Sequence, residues 1–175
     1  LYSATTAQSN TAVGAVTLKA NTTGNGNTAI GNGAMFQSVS GNSNTAVGGG
    51  SMNDRTSGDN NVAVGTASLY ANASGTENTV VGYLAARYFT GDAIVAIGHQ
   101  ACNATVTGTR NTAVGHNALL VDTGYGYNTA IGYHALKANT SGGANTAVGS
   151  QALGSNTTGD LNVAVGQFAM FNNTT

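Results

Sequence analysis

Residues 10–14 read Asn10-Thr11-Ala12-Val13-Gly14, and variants of this pentapeptide return along the whole 175-residue chain. Its final glycine recurs every 17 residues with one interval of 16, at Gly14, Gly31, Gly48, Gly65, Gly82, Gly98, Gly115, Gly132, Gly149 and Gly166. A fixed period over nine intervals indicates a repeat protein. We number the positions of a unit so that Asn10 is slot 1, and we call residues that share a slot a column. Residues 1–175 form a single array, with units starting near 10, 27, 44, 61, 78, 94, 111, 128, 145 and 162.

Each unit has two regularly aliphatic positions. Slot 4 holds Val13, Ile30, Val47, Val64, Val81, Ile97, Val114, Ile131, Val148 and Val165. Slot 9 holds, among others, Leu18, Met35, Met52, Leu69, Cys102, Leu119, Leu136, Leu153 and Met170. One unit cannot bury a core alone, so the units must stack. We expect both columns to point inward as two aliphatic ladders, because burying each such side chain contributes about 1.5–3 kcal/mol.

The period indicates an all-β fold, since helical repeats need about 34 residues or more. We predict a parallel β-solenoid (a β-roll or β-helix) of about ten 17-residue coils. Each coil would hold two short strands, around slots 2–4 and 7–10, and neighbouring coils would lie about 4.8 Å apart. Ala in slot 3 would then face away from the core and pack between chains. Gly in slots 5 and 15 would allow positive φ, and stacked Asn side chains in slot 1 would form an amide ladder.

Composition excludes several classes of protein. One Cys cannot build a disulfide framework. Five Lys and Arg make no basic face, so we expect no nucleic-acid partner. No run of 18 apolar residues occurs, so we expect no membrane insertion. No cofactor motif is present, and the chain opens without Met, as an excerpt of a longer protein would.

The unit Asn128-Thr129-Ala130-Ile131-Gly132 and its continuation through Ala135 to Gly142 resembles the 17-residue repeats of tail-fibre-type β-solenoid proteins of phages and bacterial surfaces. It is also similar to the shorter repeats of trimeric autotransporter adhesin heads. The resemblance implies a left-handed roll, a homotrimer or end-to-end fibre, and a place on the cell exterior or virion. It further implies a structural shaft or an adhesin segment without catalysis.

Several side chains are candidates for binding. His99 and His116 occupy slot 6 of successive coils, flanked in the same column by Tyr83 and Tyr133. The two imidazoles could hold a metal ion, although no Asp, Glu or Cys shares their column. The alternatives are a plain ring stack and a strip that contacts cell-surface glycans. Tyr125 and Tyr127, in an altered turn, are further glycan-contact candidates, and the shortened turn at 88–92 is the other break in the pattern.

The remaining polar residues favour structural roles. Cys102 lies in slot 9 and predicts a buried, inert thiol. The acidic residues do not form the close carboxylate pair that a glycosidase requires. We expect them to be solvated turn residues: Asp54, Asp59, Glu77, Asp92, Asp122 and Asp160. The Asn-x-Ser/Thr sequons fall mostly in slot 12, where turn chemistry explains them: Asn21, Asn72, Asn103, Asn139, Asn156, Asn172 and Asn173.

Three functions therefore compete. A fibre shaft or adhesin segment that assembles with copies of itself is favoured by uncapped, weakly charged coils. A glycan-binding adhesin head or an ice-binding solenoid is the alternative, the latter from a slot-2 Thr column that Val62, Val95 and Val163 interrupt. An enzyme is disfavoured because no catalytic set is visible.

Overall fold

The computed structural model describes residues 3–54, 57–104 and 107–175. Its strands are β1 (Thr11–Val13), β2 (Thr28–Ile30), β3 (Thr45–Val47), β4 (Val62–Val64), β5 (Thr79–Val81), β6 (Val95–Ile97), β7 (Thr112–Val114), β8 (Thr129–Ile131), β9 (Thr146–Val148) and β10 (Val163–Val165). They form one parallel sheet in chain order, and equal slots pair across coils, as in Ala29 opposite Ala46. The described residues contain no helix. The predicted all-β parallel solenoid with 17-residue coils is thus confirmed.

Each coil has one strand and not the two that we predicted. Slots 7–10 form turns, and slots 7 and 9 adopt positive φ, as in Val16 (50°) and Leu18 (47°). Neighbouring coils are still hydrogen-bonded there, since the Leu18 N–H donates to the Ala34 carbonyl at 3.1 Å. The alternation of backbone conformation bends the chain tightly, so a regular strand does not fit.

The slot-9 column is the large apolar component of the core, as predicted. It is fully buried at Leu18, Met35, Met52, Leu69, Ala86, Cys102, Leu119, Leu136 and Leu153. Met170 departs from the prediction because it lies in the last coil, which no further coil covers, and it is 43% exposed.

The prediction for slot 4 was wrong. Its side chains point outward, being 36–70% exposed at Val13, Ile30, Val64, Val81, Ile97, Ile131 and Val165 and half-buried at Val47, Val114 and Val148. Side chains alternate along a strand, and slot 3 takes the inward position: its alanines and Val80 are buried, apart from a partly buried Ala12 in the first coil. The interior between slots 3 and 8 is narrow: the Ser51 hydroxyl in slot 8 is close enough to donate to the Ala63 carbonyl in slot 3 at 3.1 Å. Alanine fits this gap, so slot 3 is no surface between chains.

The predicted Asn ladder is present in slot 1. The Oδ1 atom of Asn44 accepts the backbone N–H of Asn61 at 3.0 Å and its Nδ2 at 2.9 Å, and the Asn61 Oδ1 in turn accepts the backbone N–H of Asn78 at 3.0 Å. These side chains are buried. Each ladder residue therefore connects the coils before and after its own.

Glycine serves two purposes in the coil. In slot 5 it supplies positive φ, as predicted, and a Cβ on Gly48 (φ +131°) would also lie 2.6 Å from the Gly65 carbonyl carbon. In slot 15 positive φ does not generally explain the preference for glycine. Gly24 lies outside that region, and a Cβ there would lie 2.6 Å from the Asn21 Oδ1.

The short coil that begins at Asn78 keeps the solenoid continuous. Buried apolar side chains take the place of the polar side chains that other coils have at the same positions. Phe89 in slot 12 and Ile94, slot 1 of the next coil, are both fully buried. In the other coils slot 12 holds a polar or charged residue and slot 1 holds Asn. The Asn78 Oδ1 still accepts the Ile94 N–H at 3.1 Å. The shortened turn is thus built around core packing at Phe89, with Tyr88 exposed beside it.

Candidate functional site

The outer face of the ten-stranded sheet is an exposed feature that runs through every coil. Slots 2 and 4 both point outward, so a Thr/Val column runs beside a Val/Ile column, and neither contains a charged residue. We call these two columns the outer sheet face. Adjacent strands lie about 4.8 Å apart, which makes the face roughly 43 Å long. An uncharged aliphatic surface of this length is typical of an interaction surface.

A column of stacked rings borders this face in slot 6. The centroids of His99 and His116 lie 4.8 Å apart with their planes 3° from parallel. Tyr83 and Tyr133 continue the stack at 5.4 and 5.5 Å. The spacing predicted from the coil repeat is therefore confirmed.

The ring column has the wrong geometry for a metal centre. The lone pair of an imidazole nitrogen lies in the ring plane, so two parallel stacked rings cannot direct lone pairs at one ion. His134 stacks on Tyr133 at 3.8 Å, and burial, the Lys137 charge and His116 lower its pKa. In the part of the chain that the structure describes, no group of three or more His, Cys, Asp or Glu is placed to hold a metal.

A groove lies at the altered turn that contains Tyr125 and Tyr127. These side chains are 85% and 58% exposed, and Leu161 beside them is 79% exposed. Together with Asp160 they border a hollow of about 250 Å³. The sequence pointed to the two tyrosines but missed Asp160 and Leu161, which belong to the coil two units later; the offset of two 17-residue periods that brings them to the same edge was the available signal.

A larger hollow of about 420 Å³ lies on the slot-10 side, between Leu120, Lys137 and Phe171. It exists because Gly154 occupies slot 10, where a Cβ would come within 2.9 Å of the Phe171 ring. This hollow was not predicted, and its only signal in the sequence is the loss of a side chain in the slot-10 column.

The acidic side chains are divided among separate structural roles. Asp59, Asp92 and Asp160 occupy slot 16, and each accepts the backbone N–H of the residue in slot 16 of the preceding coil, at 2.7 Å in every case. Asp54 instead accepts the Gln37 amide at 3.3 Å.

Asp122 is not the solvated turn residue that we expected, because it is fully buried in slot 12. Its carboxylate accepts the Gly124 N–H at 3.0 Å and the side-chain amides of Asn111 (3.0 Å) and Asn128 (3.3 Å). Burial raises the pKa of this carboxyl, and these three hydrogen bonds oppose the rise.

The slot-12 sequons have structural roles. Asn21, Asn72, Asn139 and Asn156 are fully buried, and the Asn156 Nδ2 donates to the Asn139 Oδ1 at 2.9 Å. Turn chemistry therefore accounts for them. The Cys102 thiol is buried, as its slot predicted.

No helix in the described residues is long and apolar enough to cross a membrane. No protein family, curated protein sequence or solved structure matches this chain.

Proposed function

We propose that this chain is a structural segment of an extracellular or virion fibre, of the tail-fibre or surface-adhesin kind, that assembles with copies of itself through the outer sheet face. The observation that supports this is the outward slot-4 column, where Ile30, Ile97 and Ile131 are each 38–39% exposed. Exposed aliphatic side chains in an unbroken row, without a charge among them, gain free energy when a second apolar surface covers them.

The outer sheet face repeats with the spacing of the coils, so a partner with the same repeat spacing can contact it along its whole length. Every coil presents the same two columns at the same spacing, so a second copy aligned with the first can match it coil for coil. Self-association also covers a sheet surface that would otherwise promote non-specific aggregation. The resemblance of the repeat to trimeric adhesin heads implies three copies.

Sedimentation equilibrium of the 175-residue chain tests the proposal. We expect a mass of three times the 17.2 kDa of one chain, and a dimer would support self-association while correcting the number of copies. A folded monomer at all concentrations would refute it.

Two variants show whether the outer sheet face is the surface involved. Ile97→Asp places a charge in the middle of the face and should yield a folded monomer, verified by circular dichroism. Val39→Asp is the matched control, because Val39 is equally exposed (38%) but lies outside both columns. Dissociation by both variants, or by neither, would contradict the assignment.

One observation favours a second candidate, an ice-binding surface. Only one interrupted Thr column, in slot 2, was evident from the sequence, whereas the structure sets Thr112 and Val114 side by side on the outside. A regular array of hydroxyl and methyl groups can order water. A monomer with thermal hysteresis that Thr112→Tyr abolishes would support this candidate over the fibre, and a trimer without hysteresis would exclude it.

A further inference from the structure

The groove at Tyr125 arises where two adjacent coils lose the same side chain. Slot 16 usually carries Asn, Asp or Thr, and side chains such as Asn42 and Asp59 there accept the backbone N–H of slot 16 in the preceding coil. Gly126 and Gly143 occupy this slot in consecutive coils. Their backbone forms the floor of the hollow of about 250 Å³, and a Cβ on Gly143 would lie 3.2 Å from the Tyr125 Cβ.

The walls of the groove are aromatic and apolar, and one of them is braced by a neighbouring side chain. Tyr125 has 85% of its surface exposed, with Leu161 across the hollow at 79%. Tyr127 is fixed in place, because the Arg110 guanidinium lies over its ring with 5.5 Å between the guanidinium carbon and the ring centroid. Nη1 of Arg110 also donates to the Tyr127 hydroxyl at 2.8 Å. Tyrosine has few rotatable bonds, so such a wall loses little conformational entropy when a ligand binds.

One acidic side chain stands at the edge of the groove in a fixed orientation. The Asp160 Oδ1 accepts the Gly143 N–H at 2.7 Å, which ties the carboxylate to the glycine floor. Its Oδ2 receives no hydrogen bond from the described residues, and the side chain is exposed. This oxygen is therefore available to accept hydrogen bonds from a ligand.

We propose that this groove binds a neutral saccharide. A sugar ring presents C–H groups on its faces, which pack on tyrosine rings, and hydroxyl groups at its rim, which donate to a carboxylate. The Asp160 charge disfavours acidic sugars by repulsion. The hollow of about 250 Å³ is slightly smaller than the usual ligand site of about 300–1,000 Å³, which suits one or two sugar units.

The stacked rings of slot 6 are a poorer saccharide site. His99 and His116 lie face to face at 4.8 Å, so each covers a face of the other, and the faces are what a sugar needs. Tyr125 makes no ring contact within the described chain. The assignment goes beyond the proposed fibre function and does not depend on self-association, since it involves turn residues outside the outer sheet face.

Glycan-array binding of the fluorescently labelled 175-residue chain tests the proposal, with neutral hexose oligosaccharides and their sialylated forms on the same array. We expect binding to neutral glycans that falls at least tenfold in Tyr125→Ala. Tyr88→Ala is the control, because Tyr88 is also exposed (48%) but lies in a different turn, and it should leave binding unchanged.

Asp160→Asn keeps an oxygen for the Gly143 N–H while removing the charge. We expect this variant to bind neutral glycans more weakly and to lose the discrimination against sialylated ones. The proposal is overturned if no neutral glycan binds, if only sialylated glycans bind, or if Tyr125→Ala binds as well as the unmodified chain. Tyr125→Ala should have the same mass in sedimentation equilibrium as the unmodified chain. A loss of glycan binding without a change of mass then concerns the groove and not the fibre proposal.

Discussion

Replacing Gly48 by alanine tests how closely the coils are stacked. Gly48 has φ +131°, and an added Cβ would lie 2.6 Å from both the carbonyl carbon and oxygen of Gly65 and 3.0 Å from the Thr66 nitrogen. All three are backbone atoms, so no side-chain rotation relieves the contact. The substitution therefore imposes a strained backbone and a collision with the next coil at once.

The two contributions can be separated with glycines of the same chain. Gly166 has a similar φ of +122° but no atom within 4 Å of its Cβ position, so Gly166→Ala reports backbone strain alone, about 1–3 kcal/mol. Overpacking adds about 1–3 kcal/mol. We therefore expect Gly48→Ala to lower the free energy of unfolding by about 2–6 kcal/mol.

Gly50, two residues away, is the matched control. Its φ of +63° is close to that of Ala67 (52°) in the same slot, and its Cβ position is 3.6 Å from the Tyr70 ring, an ordinary contact. Gly50→Ala should cost about 1 kcal/mol or less, because reduced entropy of the unfolded chain offsets the left-handed conformation.

The assay is equilibrium urea unfolding followed by circular dichroism, at one protein concentration for all variants. The order of stability should be Gly50→Ala, then Gly166→Ala, then Gly48→Ala as the least stable. Equal losses in Gly48→Ala and Gly166→Ala would refute the close approach of coils as the reason for glycine in slot 5.

Three further predictions concern buried polar and thiol groups. Asn61→Ala leaves the buried Asn78 N–H without its acceptor and should cost about 1–3 kcal/mol for each group left unpaired, while Asn32→Ala, at an exposed site, should stay within about 0.5 kcal/mol in the same unfolding assay. The raised pKa of Asp122 means that its stabilising contribution is present below the unfolded pKa, near 3.8, and is lost as the pH rises through the folded pKa. The stability of Asp122→Asn relative to the unmodified chain should therefore increase from about pH 4 upward and then level off; a difference that does not change with pH would contradict the burial argument. Cys102 should resist an aromatic disulfide reagent in the folded chain and react fully in urea, and rapid reaction without denaturant would show that slot 9 opens.

The period and the fold class were readable from the sequence because every coil must repeat the same contacts. The direction of slots 3 and 4 could not be read in this way, because hydrophobicity alone favours placing Val64 inward over Ala63, whereas the narrow interior takes the smaller Ala63. The sequence did contain a signal that slots 7–10 form no second strand. Slot 9 holds Leu, Met, Ala or Cys but never Val, Ile or Thr in these coils, and slot 7 holds a β-branched residue only at Val16. This is expected where φ is positive, since β-branched residues are the least tolerant of that conformation.

The candidate binding groove was only half predictable for a related reason. Tyr125 stands out locally because it breaks the repeat, but Asp160 looks like an ordinary slot-16 residue. Its role depends on the absence of a side chain at Gly143 in the coil before it. Such a relation becomes visible only when the coils are stacked in register.

Most side-chain hydrogen bonds between coils join residues 17 apart, as between Asn27 and Asn44 or Asn128 and Asn145. A whole unit can thus be duplicated or removed by recombination without changing the partners on either side of the junction. The reach of the assembled rod then becomes a quantity that selection can adjust in steps of about 4.8 Å, independently of whatever the rod carries at its turns.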